Sequence, residues 1–431
     1  MKKALVLIFL VFKITASAQI LDTSAEHRYK PIKVFYTNDY QVAELDTNVI
    51  PVDTAINNFY NYYSAYKNAY PFIDLGLEGS PLLDLSRANN QVFGFHTGFH
   101  NLDYYYFSDT VKIYQTERPF TRFNYSQGEE ELIYIEATHA QQVSKRLNIG
   151  VDYRRLKNQN FYFSNISNID RVRMNNLFNA RTYFNIFSID RKYELTFSYL
   201  WNSSRNVVSG GVKYDSVFNG QEGRNKIDNN SARFKDAGNW QTQNQFTAIQ
   251  YFRPGSKLKD TARIYELGRF SNQFYLRTKF NSERFEFFDN NPDTLNYGQE
   301  LDAFSDSIYH RSFSNEFGYS LRSKAINFSV GLTHSYHSIY IDSSAVQRFN
   351  NVFALGNTEL NIKNWQLNAN GKLGLLGYNV GDFDLRGTLT STFNKIRISA
   401  AVQTQLIEPQ YTMQNFTSES TSWSKNFKKS N

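Results

Sequence analysis

The chain has 431 residues, a formal net charge of +7, a mean hydropathy of −0.53 and 16% aromatic residues, including 30 Tyr and 37 Phe. A charge this small on a chain this long does not indicate nucleic-acid binding, and the absence of Cys excludes a disulfide framework. No segment after the N-terminus resembles an apolar helix of 18 residues, which excludes a helical membrane protein. So many aromatic side chains in so hydrophilic a chain are typical of a transmembrane β-barrel, in which only alternate residues face lipid.

The N-terminus has the pattern of a secretory signal peptide. The basic pair Lys2-Lys3 precedes an apolar run over 4–12, and Ala16-Ser17-Ala18 follows as an A-x-A cleavage site. The apolar run is shorter than the roughly 20 residues that a membrane-spanning helix needs. The pattern therefore predicts a signal peptide over 1–18, cleaved between Ala18 and Gln19, with an ordinary N-terminal helix as the alternative.

Residues 19–90 show no regular hydrophobic period and predict an irregular pre-barrel segment. An aromatic and polar stretch at 57–63 is followed by a turn pattern at 75–81. Two placements stay open for this segment. It either folds in the periplasm or inside the barrel, or it serves as a flexible tether.

From Phe120 onward the hydrophobic period becomes two, which indicates strands with two unlike faces. Leu195 and Phe197 alternate with Glu194 and Thr196, for example. Each run covers about 9–11 residues, the length a tilted strand needs to cross a bilayer. The pattern predicts about thirteen strands, with one more around 92–100.

Short and long connections alternate along this region, as expected when periplasmic turns and extracellular loops occupy opposite ends of a barrel. The alternation requires one long strand over 273–288 and a somewhat long turn over 253–271. The predicted fold class is all-β, a transmembrane antiparallel up-and-down β-barrel over 91–431. Closure is expected because an open edge in hydrocarbon leaves backbone groups unsatisfied.

The faces opposite the apolar sets carry charged residues, which we predict to line a hydrated lumen because burial without water would be costly. The alternative is an ion-pair network that fills a narrow, closed barrel. The candidate lumen-lining residues are Asp152, Arg154, Glu194, Lys372, Asp384, Arg386 and Arg397.

Patterns for catalysis, cofactors and metals yield no candidate residues. His334 and His337 form an H-x-x-H sequence, but on a strand these two side chains point to opposite faces. A zinc site would also need a third ligand, which the sequence does not place. The sequence therefore predicts a protein that is not an enzyme and that uses no cofactor or metal.

Several short motifs resemble the putative porin family of Bacteroidetes, over nearly the whole chain after residue 18. The resemblance implies an outer-membrane barrel, and it carries no catalytic or ligand residues. Outer-membrane barrels usually end on an aromatic residue, whereas this chain stops at 428–431, which predicts a C-terminally truncated barrel. The motifs are Asp53-Thr54, Asn58-Phe59, Leu75-Gly76, Gly79, Gly94-Phe95, Phe99-His100, Pro119-Phe120-Thr121, the runs 125–128, 138–141 and 150–155, Pro409, Tyr411, Trp423 and Asn426-Phe427.

The leading functional hypothesis is an outer-membrane porin of a Gram-negative bacterium, which forms a water-filled channel for passive diffusion. Its expected partners are outer-membrane lipid, small hydrophilic solutes and the barrel-assembly machinery. Nucleic acid is not among them, and the oligomeric state stays open. The alternatives are a substrate-specific transporter barrel, a non-conducting surface adhesin or scaffold, and a soluble secreted β-protein.

Overall fold

The computed structural model places most of the chain after residue 33. The predicted signal peptide and its Ala18–Gln19 cleavage site lie outside the described residues, and so does much of the predicted pre-barrel segment. The described residues are 34–46, 48–52, 72–74, 78–84, 93–98, 105–116, 118–128, 132–159, 174–211, 233–234, 236–254, 272–342, 345–393, 396–418 and 421–429.

Among the described residues, five short strands and one helix lie ahead of the main sheet. They are β1 (Phe35–Asn38), α1 (Asp39–Ala43), β2 (Ile50–Pro51), β3 (Phe72–Asp74), β4 (Leu82–Asp84) and β5 (Lys112–Gln115). Strand β1 pairs with β2 on one side and with β5 on the other, and β3 pairs with β4. The sequence period did not predict these elements because each is too short to show one.

The main sheet contains thirteen strands from Phe120 to Leu406, and every neighbouring pair is antiparallel and consecutive in sequence. The predicted all-β, up-and-down antiparallel architecture with thirteen strands is confirmed, whereas the described residues at 93–98 form no further strand. The strands are β6 (Phe120–Gln127), β7 (Ile133–Ser144), β8 (Leu147–Gln159), β9 (Met174–Phe187), β10 (Tyr193–Val208), β11 (Ala237–Phe252), β12 (Asn272–Asp289), β13 (Phe304–Arg322), β14 (Ile326–Ile341), β15 (Gln347–Ile362), β16 (Trp365–Gly377), β17 (Phe383–Phe393) and β18 (Ile396–Leu406).

Four small elements complete the described chain. Helix α2 (Thr294–Tyr297) lies between β12 and β13. After β18 come α3 (Tyr411–Gln414), β19 (Asn415–Thr417) and β20 (Ser422–Ser424), of which the two strands pair with each other.

The sheet is open between its first and last strands. Within the fully described β6 and β18, each strand pairs with one neighbour only, β7 and β17 respectively. The closure that the hydrocarbon argument predicts is therefore not observed between these two strands.

The two ends of the sheet differ in the length of their connections, as predicted for three of the four long ones, whereas the long connection predicted over 337–350 comprises only 342–346. We call the end with the connections 145–146, 188–192, 323–325 and 363–364 the short-turn end, and the opposite end, with 160–173, 209–236 and 290–303, the long-connection end. The connection 253–271 is a longer exception at the short-turn end. The single long strand expected over 273–288 is confirmed as β12.

Strands β9 to β15 have 14–19 residues, and all of them except β12, which is predicted to be long, exceed the predicted 9–11. The exposed apolar side chains show why, since they concentrate in the half of each strand nearest the short-turn end. On β14, Phe328, Val330 and Leu332 form an apolar row, and the more polar His334 and Ser338 follow on the same face. The apolar belt therefore occupies the half of these strands nearest the short-turn end, and the other half extends beyond it.

The burial pattern of the sheet is the inverse of that of a water-soluble protein. On β10, Phe197 and Trp201 are each 39% exposed, whereas the alternating Glu194 and Asn202 are 0% exposed. Burying polar groups costs free energy unless they find partners, so the polar face must be covered by groups that hydrogen-bond to it. We call this polar face the interior face and the apolar face the outer face.

The interior face of β7 to β15 is covered by the described residues between Val34 and Thr116, which we call the inner segment. Val42 and Ile113 of the inner segment are buried against Tyr183, Ile249 and Tyr251 of the sheet. The inner segment thus contacts both β9 and β11, and its Phe95 contacts β13 and β14. The sheet thus curves around the inner segment.

Candidate functional site

The first contact that holds the inner segment is a buried ion pair between α1 and β12. The Arg277 guanidinium lies 3.1 Å from Asp39 Oδ2, and the two side chains are 2% and 0% exposed. The same guanidinium lies 3.3 Å from the Glu316 carboxylate of β13 and 3.9 Å from the centre of the Tyr40 ring. The other carboxylate oxygen of Asp39 accepts a hydrogen bond from the Val111 backbone at 2.9 Å. Arg277 therefore joins two parts of the inner segment to the sheet.

A second ion pair lies one step along the same face of β12. Lys279 Nζ lies 2.5 Å from Asp109 Oδ2 and donates to the Tyr40 hydroxyl at 3.0 Å. The Lys279 ammonium holds the pKa of the Asp109 carboxyl below its ordinary value, so that the carboxylate is the favoured form. Two cations of one strand thus hold two acidic residues of the inner segment.

Polar side chains of the interior face also satisfy the backbone of residues 105–116. Asn202 accepts from the Phe107 N–H at 3.1 Å and donates to the Phe107 carbonyl at 3.0 Å. Arg181 donates to the Thr110 carbonyl at 2.6 Å, and Asn179 donates to the Tyr105 carbonyl at 3.0 Å. Buried backbone groups need such partners, which gives the polar alternation of β9 and β10 a structural role.

At the long-connection end, the Phe95 ring holds the inner segment through five aromatic contacts. Its centroid lies 4.8–5.8 Å from the rings of His310, His337, Phe349, Tyr378 and Tyr411. Next to it, the Tyr411 backbone donates to the His96 carbonyl at 2.9 Å. Residues from both ends of the described chain therefore meet in one aromatic cluster.

The two histidines in this cluster form a hydrogen-bonded chain on the interior face. His310 Nε2 lies 3.1 Å from His337 Nδ1, and His310 Nδ1 lies 3.1 Å from the Glu283 carboxylate. His334 lies on the exposed outer face, so the opposite orientation predicted for His334 and His337 is confirmed. Within the described ranges, no three His, Cys, Asp or Glu side chains lie close enough to hold a metal ion.

Three of the predicted lumen residues lie on the interior face beneath the inner segment. Asp152 is 2.7 Å from the Arg181 guanidinium, and Glu194 is 2.5 Å from that of Arg253. Arg154 donates to the Tyr105 carbonyl at 3.2 Å. Asp152 and Glu194 are buried in ion pairs rather than in the hydrated surroundings expected for them, because the inner segment covers this part of the face.

The other four predicted residues lie on β16 to β18, where the interior face is less covered. Lys372 and Asp384 are directly opposite each other across β16 and β17, and Asp384 is 3.0 Å from the Arg386 guanidinium. Lys372, Arg386 and Arg397 are all exposed. Arg397 lies on the same face but opposite Thr392, near the short-turn end, so the structure does not bring it to the other three.

The residues that hold the inner segment were missed in the sequence analysis. Arg277, Lys279 and Glu283 alternate with Phe274, Leu276 and Phe280 along β12, so the period of two carries a signal for them. Nothing in the sequence indicates that Asp39 and Asp109 are the partners of Arg277 and Lys279, because 238 and 170 positions separate the pairs.

A polar cavity of about 410 Å³ lies at the short-turn end, between the inner segment and β14 to β16. Three carboxylates line it, namely Glu44 and Asp46 of the inner segment and Glu359 of β15, together with six carboxamides and Ser329. Burial raises the pKa of the Glu44 carboxyl above its ordinary value. This cavity is the part of the interior that the inner segment leaves open near the short turns.

An antiparallel meander with an apolar outer face and a polar interior face defines an outer-membrane β-barrel protein. The model of the family described as "Putative porin" matches residues 35–431. The chain belongs to this family, and the family and the strand pattern point to the outer membrane as its location.

Two solved structures are similar to the chain in fold. The FrpB iron transporter from Neisseria meningitidis (F3-3 variant) aligns with a TM-score of 0.45 and 9% identity over 74% of this chain and 51% of that chain. The ferric-catecholate import receptor Fiu from E. coli K12, in its open form, aligns with a TM-score of 0.40 and 8% identity over 69% and 53%. The chain thus spans about half the length of both.

A search of functionally curated proteins finds no match. In the part of the chain that the structure describes, no helix has both the length and the apolar character needed to cross a membrane.

We expect Phe317→Arg to destabilise the protein in the membrane by about 2–4 kcal/mol, because Arg near the bilayer midplane of a barrel must leave water. Phe317 is 56% exposed at the centre of the apolar belt, between the exposed Leu276 and Leu332. The measurement is the free energy of unfolding from lipid vesicles in denaturant. Phe317→Leu is the matched control, and equal stability of the two variants would place this face outside the hydrocarbon.

Proposed function

We propose that the protein is a passive channel for small hydrophilic solutes. A signal peptide over 1–18 directs its export through the periplasm, and the barrel-assembly machinery inserts it into the outer membrane. The observation that carries the proposal is the contrast between the two parts of the interior face. The inner segment covers β7 to β15, whereas Lys372, Arg386 and Arg397 on β16 to β18 stay exposed.

Charged side chains on an uncovered interior face favour a hydrated pathway, since water solvates them at little cost. In this proposal the seven predicted lumen residues divide into two groups. Asp152, Arg154 and Glu194 lie beneath the inner segment, and Lys372, Asp384, Arg386 and Arg397 line the path. The path carries both signs of charge, so its selectivity is weak.

The test is conductance of the protein purified from outer membranes and reconstituted in planar bilayers. We expect steady conductance without an energy source and a reversal potential in a salt gradient that indicates weak ion selectivity. Lys372→Glu moves the reversal potential towards cations, because it reverses a charge that faces the path.

Lys324→Glu, in the exposed turn 323–325 outside the interior face, is the control for the change in net charge. Equal shifts in both variants would contradict a path along β16, and absence of conductance in the wild-type protein would contradict a passive channel.

The anchored inner segment also favours a second candidate, a substrate-specific transporter whose interior opens only when this segment moves. The two functions differ in one measurable property. Passive conduction needs no energy source, whereas a transporter of this kind takes up solute only when coupled to one and stays closed in the bilayer.

A further inference from the structure

We infer that the polar cavity at the short-turn end is a binding site for a small, hydroxyl-rich organic cation, such as an amino sugar. The inference deepens the proposed function and rests on it only in that the cavity is reached from water. Its volume of about 410 Å³ lies within the range of small-molecule sites, roughly 300–1,000 Å³.

The lining of the cavity is negatively charged. Glu44, Asp46 and Glu359 line the cavity, and none of the ten lining residues is a Lys, Arg or His. An anionic solute would meet three carboxylates and no cationic side chain here, whereas a cationic solute gains a charge-assisted hydrogen bond from each ionised carboxylate. The lining therefore selects against acids and favours amines.

Two of the three carboxylates are held in fixed orientations by hydrogen bonds. Glu359 is fixed by Asn361 and Gln366, whose amide nitrogens donate to the same Oε1 atom at 2.9 and 2.8 Å. The Asn48 backbone donates to Asp46 Oδ1 at 2.9 Å. Both carboxylates are thus held in place before a ligand arrives, which lowers the entropy lost on binding.

The carboxamides of the lining favour a ligand that carries hydroxyl groups. Six Asn or Gln side chains line the cavity, and each supplies a donor and an acceptor, the pair that a hydroxyl group can match. Asn327 Oδ1 is buried and has no hydrogen-bond partner. The lining contains no aromatic ring, so recognition depends on polar contacts rather than on stacking.

The geometry argues against a directly coordinated metal ion as the occupant. Such an ion needs several oxygen ligands converging within about 2.6 Å of one point, and no three carboxylates or histidines of the described residues converge in this way. An organic cation can instead use separated groups, because its amine and its hydroxyls are themselves several ångströms apart.

The test is equilibrium binding to the purified protein in detergent, measured by isothermal titration calorimetry with three probes of nearly equal size. We expect glucosamine to bind, glucose to bind at least tenfold more weakly and glucuronate not to bind, because the three differ chiefly in charge. Salt should weaken glucosamine binding. Equal binding of glucose and glucosamine, or no binding of glucosamine, would overturn the inference.

Two variants locate the site. Glu359→Gln and Asp46→Asn keep the shape of the cavity and should each weaken glucosamine binding about tenfold, the effect of losing one charge-assisted hydrogen bond. Glu300→Gln removes an exposed carboxylate in the connection 290–303, at the opposite end, and should bind like the wild type. Unchanged gel mobility before heating confirms that each variant is folded, and unchanged affinity in both cavity variants would contradict the site.

Binding is measured at equilibrium and conduction in a bilayer, so the two outcomes are independent. A protein that binds glucosamine but does not conduct would overturn the passive channel and keep the site. A protein that conducts but binds none of the probes would keep the passive channel and overturn the site.

Discussion

Arg277→Met is expected to release the short-turn end of the inner segment, at a cost of about 3–5 kcal/mol. The variant removes the only cation within salt-bridge distance of Asp39 among the described residues, and leaves that carboxylate buried beside Glu316. A buried ion pair contributes little net stability by itself, but removal of one partner leaves a charge that neither water nor protein compensates. The site can relieve this cost by letting α1 move away from β12.

The measurement uses Ala43→Cys, a buried position of α1 in a chain that has no native Cys. In the wild-type background we expect no reaction with a water-soluble maleimide, and in the Arg277→Met background we expect rapid reaction. Conductance should rise in the same variant, because the released segment no longer constricts the interior.

Arg284→Met is the matched control on the same strand. Its ion pair with Glu286 is 2.6 Å long, but the two side chains are 34% and 19% exposed, so its loss should cost at most about 1 kcal/mol. Labelling of Ala43→Cys that is equal in the two backgrounds would show that the Asp39–Arg277 pair does not hold the segment.

Phe95→Ala is expected to release the other end of the inner segment. The ring contacts five aromatic side chains, and Phe→Ala changes in well-packed sites cost about 3–5 kcal/mol. We expect the lower end of that range, because Phe95 is only half-buried. The variant leaves a cavity at the point where the inner segment meets β13, β14 and α3.

Thr97→Cys reports on this end, since Thr97 is 7% exposed and its carbonyl accepts a hydrogen bond from the Thr412 hydroxyl at 2.6 Å. Maleimide should react with it in the Phe95→Ala background and not in the wild type. Phe93→Ala is the control, because its ring contacts only Phe353 among the aromatic contacts of the described residues. Equal labelling of Thr97→Cys in the Phe93→Ala and Phe95→Ala backgrounds would show that the aromatic cluster around Phe95 does not hold the inner segment.

Together the two variants test whether the inner segment is held at two separate points. If each released end raises conductance independently, the inner segment is held at two points and both must yield for full opening. If Arg277→Met alone raises conductance, the narrowest point lies near the short-turn end, close to the polar cavity.

The architecture of the sheet could be predicted from the sequence because it depends on a local rule. Side chains alternate between two faces of a strand, so the polar and apolar sets of β10 can be read without knowing any partner. Strand order follows as well, since consecutive strands joined by short turns pair with each other. The bounds were less accurate for β13 and β14, because these strands continue beyond the apolar belt into regions whose sequence has no apolar alternation.

Only the tertiary structure decided what covers the polar face. Asp39 and Arg277 are 238 positions apart, and the contact exists because the sheet curves around α1. The predicted lumen residues Glu194 and Lys372 have the same sequence pattern. Glu194 is nevertheless buried against Arg253 and Lys372 is exposed, because the inner segment covers only the part of the face that carries Glu194. Alternation assigns a side chain to a face, but burial and partner depend on which distant segment reaches that face, and this is set by the free energy of the whole fold.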